Sequence, residues 1–239
     1  MSILDALPQS NPWLSLEAGN LPYCTPEDLP FIQAHNARLA SRYNPEKARD
    51  YHLPLDVFPE PYLGHPDAPI LLLNLNPGYK DGDAAVHARQ PIMNLCSANL
   101  RHTLPAECPF YPLHPRYVLN GGSRWWSLHL GDWIRQYSKE HVARAFFCIE
   151  LFPYASRKYC GLPDLVPSQR YSIALAAAKI NSGCPVIVMR AEAQWQKLVP
   201  ELKDSTCFRL KSSQSGYLSE KNLSQEAVDR INSVFRALR

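Results

Sequence analysis

Short apolar runs alternate with longer amphipathic segments along most of this 239-residue chain. The apolar runs are partly β-branched and bounded by turn-forming residues, which is typical of buried strands. We predict strands at residues 69–75, 145–151, 185–189 and 206–210. The segments between and after them carry helical signals, at residues 123–138, 167–182, 191–199 and 224–238. The last segment spaces its apolar residues with the 3.6-residue period of an α-helix, at Val228, Ile231, Phe235 and Leu238.

This alternation predicts an α/β fold. Strands buried on both faces and separated by helices indicate a three-layer α/β/α sandwich around a central, mainly parallel four-stranded sheet. A chain of this length buries one large core, so we expect residues 1–239 to form a single domain. Residues 1–58 are rich in proline and aromatic residues, and we expect them to form a helical and Pro-rich extension packed on that domain.

The segments before the first strand and after it have weaker patterns. Thr25-Pro26-Glu27-Asp28 combines an N-cap, an early proline and acidic residues, which predicts a helix running to about residue 43. Residues 53–67 contain too many prolines for a central strand or a helix, so we expect them to wrap the surface. Residues 82–122 are the least patterned, and the stretch 89–100 within them fits a helix.

Composition and charge limit the classes of protein to which this chain can belong. Apolar residues make up 46% of the chain and charged residues 20%, which excludes a disordered polymer. The chain has no apolar run of bilayer length and its N-terminus does not resemble a secretory signal, so we expect a cytoplasmic protein. The seven cysteines are scattered without a Cys-x-x-Cys pair, so we expect no metal, iron–sulfur cluster or other cofactor. We also expect a monomer, and the net charge of +3 permits a polyanionic partner.

Polar, aromatic and basic residues follow each predicted strand. In an open parallel sheet, ligands bind beyond the carboxyl ends of the strands, where these residues converge. The residues that directly follow the four predicted strands, which we call the strand exits, are 76–79, 152–158, 190 and 211–217. Aromatic rings stack on bases, amides read base edges, and Lys, Arg and Ser hold phosphates, so the mixture suits a nucleobase attached to a phosphodiester.

Three motifs at these exits resemble the uracil-DNA glycosylase superfamily. The stretch Asn74-Leu75-Asn76-Pro77-Gly78 resembles the Gly-Ile-Asn-Pro-Gly of its mismatch-specific branch, and residues 213–216 resemble the Asn-Pro-Ser-Gly of that branch. Residues 149–153 (Ile-Glu-Leu-Phe-Pro) occupy the place where the single-strand-selective branch has a base-reading Asn three residues before a Pro. The resemblance extends by element order over roughly residues 59–239.

The resemblance implies DNA as the partner and hydrolysis of the N-glycosidic bond of a damaged or modified base as the reaction. It assigns the catalytic positions to Asn76, which orients the water, and to Ser213. Base contacts are then expected from Tyr79, Glu150, Phe152 and Ser215, and backbone turns at the site from Pro77, Gly78 and Gly216. Phosphate contacts, or a wedge entering the duplex, are expected from Lys80, Ser156, Arg157, Lys158, Arg190, Lys211, Tyr217 and Leu218.

Two positions depart from the family pattern. Ser213 stands where the most active branch has a His, and all eight histidines lie at or before His141. Glu150 stands where an Asn donates to uracil O4 and accepts from its N3–H. An ionised Glu150 only accepts hydrogen bonds, so uracil is expected to bind poorly. A protonated Glu150 would donate to a ring nitrogen and accept from an exocyclic amine, as on cytosine- or adenine-like edges.

Other interpretations of the same residues stay open. Asn76 is also consistent with a residue that caps the following segment at a common Asn-Pro-Gly turn, and Glu150 with a surface acid if the strand register slips by one residue. The basic residues at the exits are also consistent with solvated charges, whereas core packing is the favoured role of Trp125, Trp126 and Trp133. The alternative functions are a catalytically inactive relative that binds nucleic acid or nucleotide, and a hydrolase of a small nucleotide-like substrate.

Overall fold

A five-stranded sheet forms the centre of the computed structural model, which describes residues 2–115 and 121–238. The strands are β1 (Tyr62–Leu63), β2 (Ile70–Asn74), β3 (Phe146–Glu150), β4 (Val186–Val188) and β5 (Cys207–Arg209). Their order is β1-β3-β2-β4-β5, and every neighbouring pair is parallel except β1 with β3. The predicted α/β fold with a mainly parallel sheet is confirmed, and the four predicted strands lie where the sequence placed them. The fifth strand, β1, was not predicted.

Ten α-helices surround the sheet in the described residues. They are α1 (Leu29–Arg42), α2 (Pro45–Tyr51), α3 (Asp83–His87), α4 (Gln90–Leu100), α5 (Gly121–His129), α6 (Gly131–Tyr137), α7 (Lys139–Ala145), α8 (Gln169–Asn181), α9 (Glu192–Leu198) and α10 (Gln225–Ala237). The helices predicted at 89–100, 167–182, 191–199 and 224–238 are confirmed as α4, α8, α9 and α10. The segment 123–138 is two helices, because the chain leaves helical geometry at Leu130. The N-terminal helix begins at Leu29, after a turn over residues 25–28.

Different helices cover the two faces of the sheet. Side chains alternate along a strand, so Phe146 and Phe147 of β3 point to opposite faces. Phe146 packs edge-on against Phe235 of α10, with 5.9 Å between ring centroids. Phe147 lies 6.2 Å from the ring of Tyr62, which in turn lies 6.2 Å from Tyr171 of α8. Helices α10 and α8 therefore flank the sheet on opposite sides, which gives the three layers.

The expectation that residues 53–67 wrap the surface was wrong. Leu53, Phe58, Tyr62 and Leu63 are all buried, and Tyr62–Leu63 forms the antiparallel edge strand β1. An edge strand needs hydrogen bonds on one side only, so it tolerates the neighbouring prolines that a central strand would exclude. The chain turns after it at Gly64, whose φ is +96° and where an added Cβ would collide with the Phe146 carbonyl oxygen.

The N-terminal segment is tied to the rest of the molecule through Asp28, which is fully buried. The Tyr154 hydroxyl donates to Asp28 Oδ2 at 2.8 Å, and the Ser168 backbone N–H donates to Asp28 Oδ1 at 3.0 Å. The Ser168 hydroxyl also donates to Asp28 Oδ2. The buried Trp13 ring packs edge-on against Tyr154, 6.0 Å between centroids. These contacts place Tyr154, which follows β3, between the N-terminal segment and the sheet.

Candidate functional site

A cavity of about 470 Å³ opens beyond the carboxyl ends of β2, β3 and β4. From β2 the chain passes to β3 on one side, and after β3 it crosses to β4 on the other side of β2. In open α/β sheets, ligands bind at such a reversal of strand order. The volume is also in the range of pockets that hold small molecules and cofactors. The position and size of the cavity make it the candidate site.

Ten of the residues predicted from the sequence line this cavity. They are Asn76, Pro77, Gly78, Tyr79, Lys80, Glu150, Ser156, Arg157, Lys158 and Arg190. These residues end or follow three different strands, so only the parallel arrangement of the sheet brings them together. The seven others lie outside the lining and are described below.

The Asn76 turn is fixed to the chain that follows β3. The Asn76 side chain donates from Nδ2 to the Pro77 carbonyl at 2.9 Å and to Ser156 Oγ at 3.0 Å. Backbone hydrogen bonds also join the two segments. The Tyr79 N–H donates to the Ser156 carbonyl at 3.0 Å, and the Ser156 N–H donates to the Pro77 carbonyl at 3.2 Å. Asn76 therefore caps no helix. Its amide is held by two acceptors, and the described residues offer no hydrogen bond to its Oδ1 oxygen.

Asn74 and Glu150 end two neighbouring strands at the edge of the cavity. They are direct partners in the register of β2 and β3, and both line the cavity. Glu150 is 3% exposed, so the alternative of a surface acid is wrong. Asn74 donates from Nδ2 to Glu150 Oε1 at 3.0 Å, while Asn74 Oδ1 and Glu150 Oε2 have no hydrogen-bond partner among the described residues. Burial raises the pKa of the Glu150 carboxyl to about 8, and the Asn74 hydrogen bond only partly opposes this.

Two further carboxyl groups, Glu60 and Asp83, line the cavity and were not predicted. The Tyr111 hydroxyl donates to Glu60 Oε1, and burial raises the pKa of Glu60 to about 7. Asp83 accepts the Lys80 backbone N–H at 2.7 Å, and burial raises its pKa as well. No sequence pattern pointed to Glu60, which precedes the unpredicted edge strand. Asn74 did have a signal, because it is a polar residue that ends an otherwise apolar buried strand.

Four cations of the described residues line the cavity, and two of them are already paired. Arg157 forms a salt bridge with Asp81, and Lys158 Nζ lies 2.6 Å from Asp50 Oδ2. Within the described chain, neither Lys80 nor Arg190 takes part in a salt bridge. Lys80 and Arg190 are therefore the cations most available to a phosphate or to a developing negative charge.

The loop after β5 lies beside the cavity without lining it. Ser213, Ser215 and Lys211 are exposed, and the Ser215 hydroxyl donates to the Ser212 carbonyl at 2.9 Å. Gly216 has a φ of +67°, and a Cβ built on it would lie 3.2 Å from an Arg190 guanidinium nitrogen. The resemblance placed Ser213 and Ser215 at the catalytic centre, whereas the folded loop holds them outside the cavity.

Two apolar residues do not occupy their expected positions. Leu218 is fully buried, so it presents no side chain to a duplex, whereas Tyr217 is 37% exposed. Phe152 is 2% exposed and packs between Tyr154 and Tyr159, at 5.7 and 6.1 Å between ring centroids. Phe152 is therefore a core residue and does not line the cavity.

Other aromatic residues line the cavity instead. They are Tyr79, Trp125, Trp126 and Tyr159. Trp133 is fully buried, as expected of a core residue, and Trp126 is 4% exposed. Trp125 is only half-buried; it packs against the core, as expected, and also lines the cavity. The Arg157 guanidinium lies 5.7 Å from the centroid of the Tyr79 ring.

His129 of α5 packs against the loop after β5. Its ring stacks on Trp125 at 3.7 Å and on Tyr217 at 4.5 Å between centroids. Its Nδ1 lies 2.7 Å from the Trp125 carbonyl and its Nε2 lies 3.0 Å from the Ser215 carbonyl. Burial lowers the pKa of His129. No histidine follows residue 141 in the sequence, yet the fold places this one beside the last motif.

The described residues give no sign of a metal site or of a membrane segment. Residues 2–115 and 121–238 contain no group of three or more His, Cys, Asp or Glu side chains arranged to hold a metal ion. No helix in the described part of the chain is long and apolar enough to cross a bilayer. Searches of protein-family models, of curated proteins and of solved structures found no match to this chain.

Proposed function

We propose that this protein binds a nucleobase of DNA in the cavity and hydrolyses its N-glycosidic bond. The observation that carries the proposal is the fixed Asn76 turn at the cavity. Two acceptors hold the Asn76 amide, and its Oδ1 oxygen is left to accept a hydrogen bond from a water molecule. A group held in one orientation before reaction contributes to catalysis because it needs no reorganisation in the transition state.

The reaction adds one water molecule across the bond between the sugar and the base. The water oxygen bonds to C1′ of the sugar, the electron pair of the C1′–N bond leaves with the base, and the proton of the water ends on the base. Positive charge develops on the sugar and negative charge on the departing base, so the catalyst must orient the water and stabilise the base. Asn76 supplies the first function, and Arg190 and Glu150 line the cavity where the second is needed.

The remaining lining suits an extruded nucleotide. Tyr79, Trp125 and Tyr159 offer aromatic surface for stacking, which contributes to base binding independently of sequence. Lys80 and Arg190 are available for phosphates, because neither takes part in a salt bridge within the described residues. Since Arg157 and Lys158 are already paired, the electrostatic contribution to DNA binding is expected to be modest.

The test uses labelled oligonucleotides that differ at one position, which carries uracil, hypoxanthine, xanthine or a mismatch. Abasic sites are revealed by hot alkali and gel electrophoresis. We expect cleavage of at least one oligonucleotide, and a loss of about a hundredfold or more in Asn76→Ala. Asn94→Ala, which removes an exposed amide of α4 that does not line the cavity, is the matched control and should retain activity. Absence of abasic sites with every oligonucleotide would refute glycosylase activity.

A second function is favoured by the position of Ser213. The resemblance gives this residue a catalytic role, but Ser213 is exposed and lies outside the cavity. A protein that binds nucleic acid without cleaving it would show salt-dependent affinity for DNA that survives Asn76→Ala. Measuring affinity and cleavage with the same oligonucleotides separates the two functions.

A further inference from the structure

Two neighbouring residues at the cavity each carry an unpaired polar atom. Asn74 is 5% and Glu150 is 3% exposed, and each has a side-chain oxygen without a hydrogen-bond partner among the described residues. Such buried atoms are rare in folded proteins because each one forfeits its hydrogen bonds with water. Both residues line a cavity that has room for a ligand. The pair is therefore suited to be completed by a ligand that hydrogen-bonds to both atoms.

The hydrogen bond between the two residues limits what each free atom can do. Asn74 uses Nδ2 to donate to Glu150 Oε1, so its free Oδ1 is an acceptor. Glu150 Oε2 accepts if the carboxyl is ionised and donates if it is protonated. The ionisable groups that act on this carboxyl are the Glu60 carboxyl and the Arg190 guanidinium, and Glu150 in turn helps to raise the pKa of the buried Cys148 thiol. Burial outweighs the attraction of Arg190 and raises the pKa of Glu150 to about 8, so the carboxyl keeps its proton at pH 7.

We propose that Asn74 and protonated Glu150 together read the edge of the bound base, with Glu150 Oε2–H donating to an acceptor and Asn74 Oδ1 accepting from the adjacent N–H. This inference rests on the proposed function, because it describes how that site recognises its base. The ligand class is a planar heterocycle in which a hydrogen-bond acceptor stands next to an N–H donor. An ionised Glu150 would present two acceptors and would repel the acceptor of such an edge.

The Asn74 contact changes the expectation drawn from Glu150 alone. In that expectation the Glu150 carboxyl alone donated one hydrogen bond to the base and accepted another, which favoured a base that carries an exocyclic amine. Here Glu150 Oε1 is already occupied by Asn74, and the accepting atom is Asn74 Oδ1. A donor beside an acceptor matches the ring nitrogen and amine of adenine or cytosine, and also the carbonyl and ring N–H of uracil. Recognition then depends on the proton of Glu150 and on the amide of Asn74.

The first experiment measures the affinity of the wild-type protein for pairs of nucleoside monophosphates in which the analogue lacks the N–H donor of its parent. The pairs are those of uridine with 3-methyluridine, adenosine with purine riboside, and cytidine with 2-pyrimidinone riboside. We expect the parent of at least one pair to bind about fivefold to a hundredfold more tightly than its analogue. Asn74→Ala should bind that parent and its analogue equally, since the acceptor is gone. Equal binding of parent and analogue by the wild-type protein in every pair would overturn the inference without any variant.

The second experiment tests the proton of Glu150. Affinity for the preferred nucleotide is measured between pH 6 and pH 9 for the wild-type protein and for Glu150→Gln, whose amide keeps a donor at every pH. The ratio of the two affinities cancels the titration of the ligand itself. With the pKa of Glu150 at about 8, the wild-type protein should lose about tenfold relative to Glu150→Gln between pH 7 and pH 9.

The outcomes separate this inference from the proposed function. A constant affinity ratio, with abasic sites still formed from oligonucleotides, would overturn the recognition by protonated Glu150 and leave the glycosylase intact. Binding of no nucleotide or oligonucleotide, together with absence of abasic sites, would overturn both. The inference would be established by three results together. The wild-type protein binds a parent nucleotide more tightly than its analogue, Asn74→Ala loses this preference, and the affinity of the wild-type protein relative to Glu150→Gln falls above pH 8.

Discussion

Replacing Glu150 by Gln should stabilise this protein at neutral pH. Glu150 is 3% exposed and its pKa is raised by burial from 4.5 to about 8. The folded state therefore keeps a proton that the unfolded chain releases above pH 4.5. The contribution of this carboxyl to stability is complete below pH 4.5 and is lost as the pH rises from 4.5 to 8. Gln does not titrate, and its amide oxygen can still accept the hydrogen bond from Asn74 Nδ2.

The magnitude follows from the shift in pKa. Each pH unit between the unfolded and folded pKa values changes the free energy of unfolding by about 1.4 kcal/mol. Between pH 5 and pH 7 the wild-type protein should lose about 2–3 kcal/mol relative to Glu150→Gln, and the difference should stop growing above about pH 8. That is a large part of the net stability of an ordinary domain.

The assay is urea unfolding of both proteins at pH 5, 6, 7 and 8, followed by circular dichroism. The quantity of interest is how the difference in free energy of unfolding changes with pH, since this removes any effect of the substitution that does not depend on pH. Glu107→Gln, in which an exposed carboxyl is replaced, is the matched control and should show little change. A difference between Glu150→Gln and wild type that stays constant from pH 5 to pH 8 would refute the raised pKa, and with it the donor role of Glu150.

Four further outcomes are expected. Asp28→Ala should lower the free energy of unfolding by about 2–4 kcal/mol in urea titrations, because it leaves three buried hydrogen bonds without their acceptor; a loss below 1 kcal/mol would contradict the anchoring role. Burial lowers the pKa of His87 to about 4, so the contribution of the neutral ring to the free energy of unfolding is present above pH 6.5. That contribution should fall by about 3 kcal/mol between pH 6.5 and pH 4, and His87→Gln should not show this fall. Phe235→Ala should lower the free energy of unfolding by about 3–5 kcal/mol, whereas Leu128→Ala at an exposed site should lower it by less than about 0.5 kcal/mol. Arg157→Ala should reduce the slope of log affinity for DNA against log salt concentration by less than about 0.9, because the salt bridge to Asp81 already neutralises this cation. A reduction of the slope by the full ~0.9 would show that DNA displaces Asp81.

Much of the fold was predictable because its signals are local. The apolar run of β2 and the helical stripe of α10 depend only on residues that are near each other in sequence, and both were located correctly. The edge strand at Tyr62 was missed because it is two residues long, lies among prolines and exists only through its pairing with Ile149 and Cys148. The break at Leu130 was missed because the apolar pattern continues across it.

The candidate site was predictable in part for a related reason. The rule that ligands bind at the carboxyl ends of parallel strands was enough to select Asn76, whereas Glu150 was selected by the family resemblance, and both line one cavity. The rule does not say how a loop folds after it leaves a strand. Ser213 and Phe152 also follow strands, but one lies in an exposed loop and the other turns into the core.

The sequence by itself determined the periodic elements and the chemical character of the strand exits, because hydrophobic period and turn residues act over a few positions. Only the tertiary structure decided which of these residues meet. Asn74 and Glu150 are 76 positions apart and become partners through the register of β2 and β3, and His129 reaches Ser215 across 86 positions. Such contacts depend on how the whole core packs, and burial then gives Glu150 a pKa that its sequence neighbours do not determine.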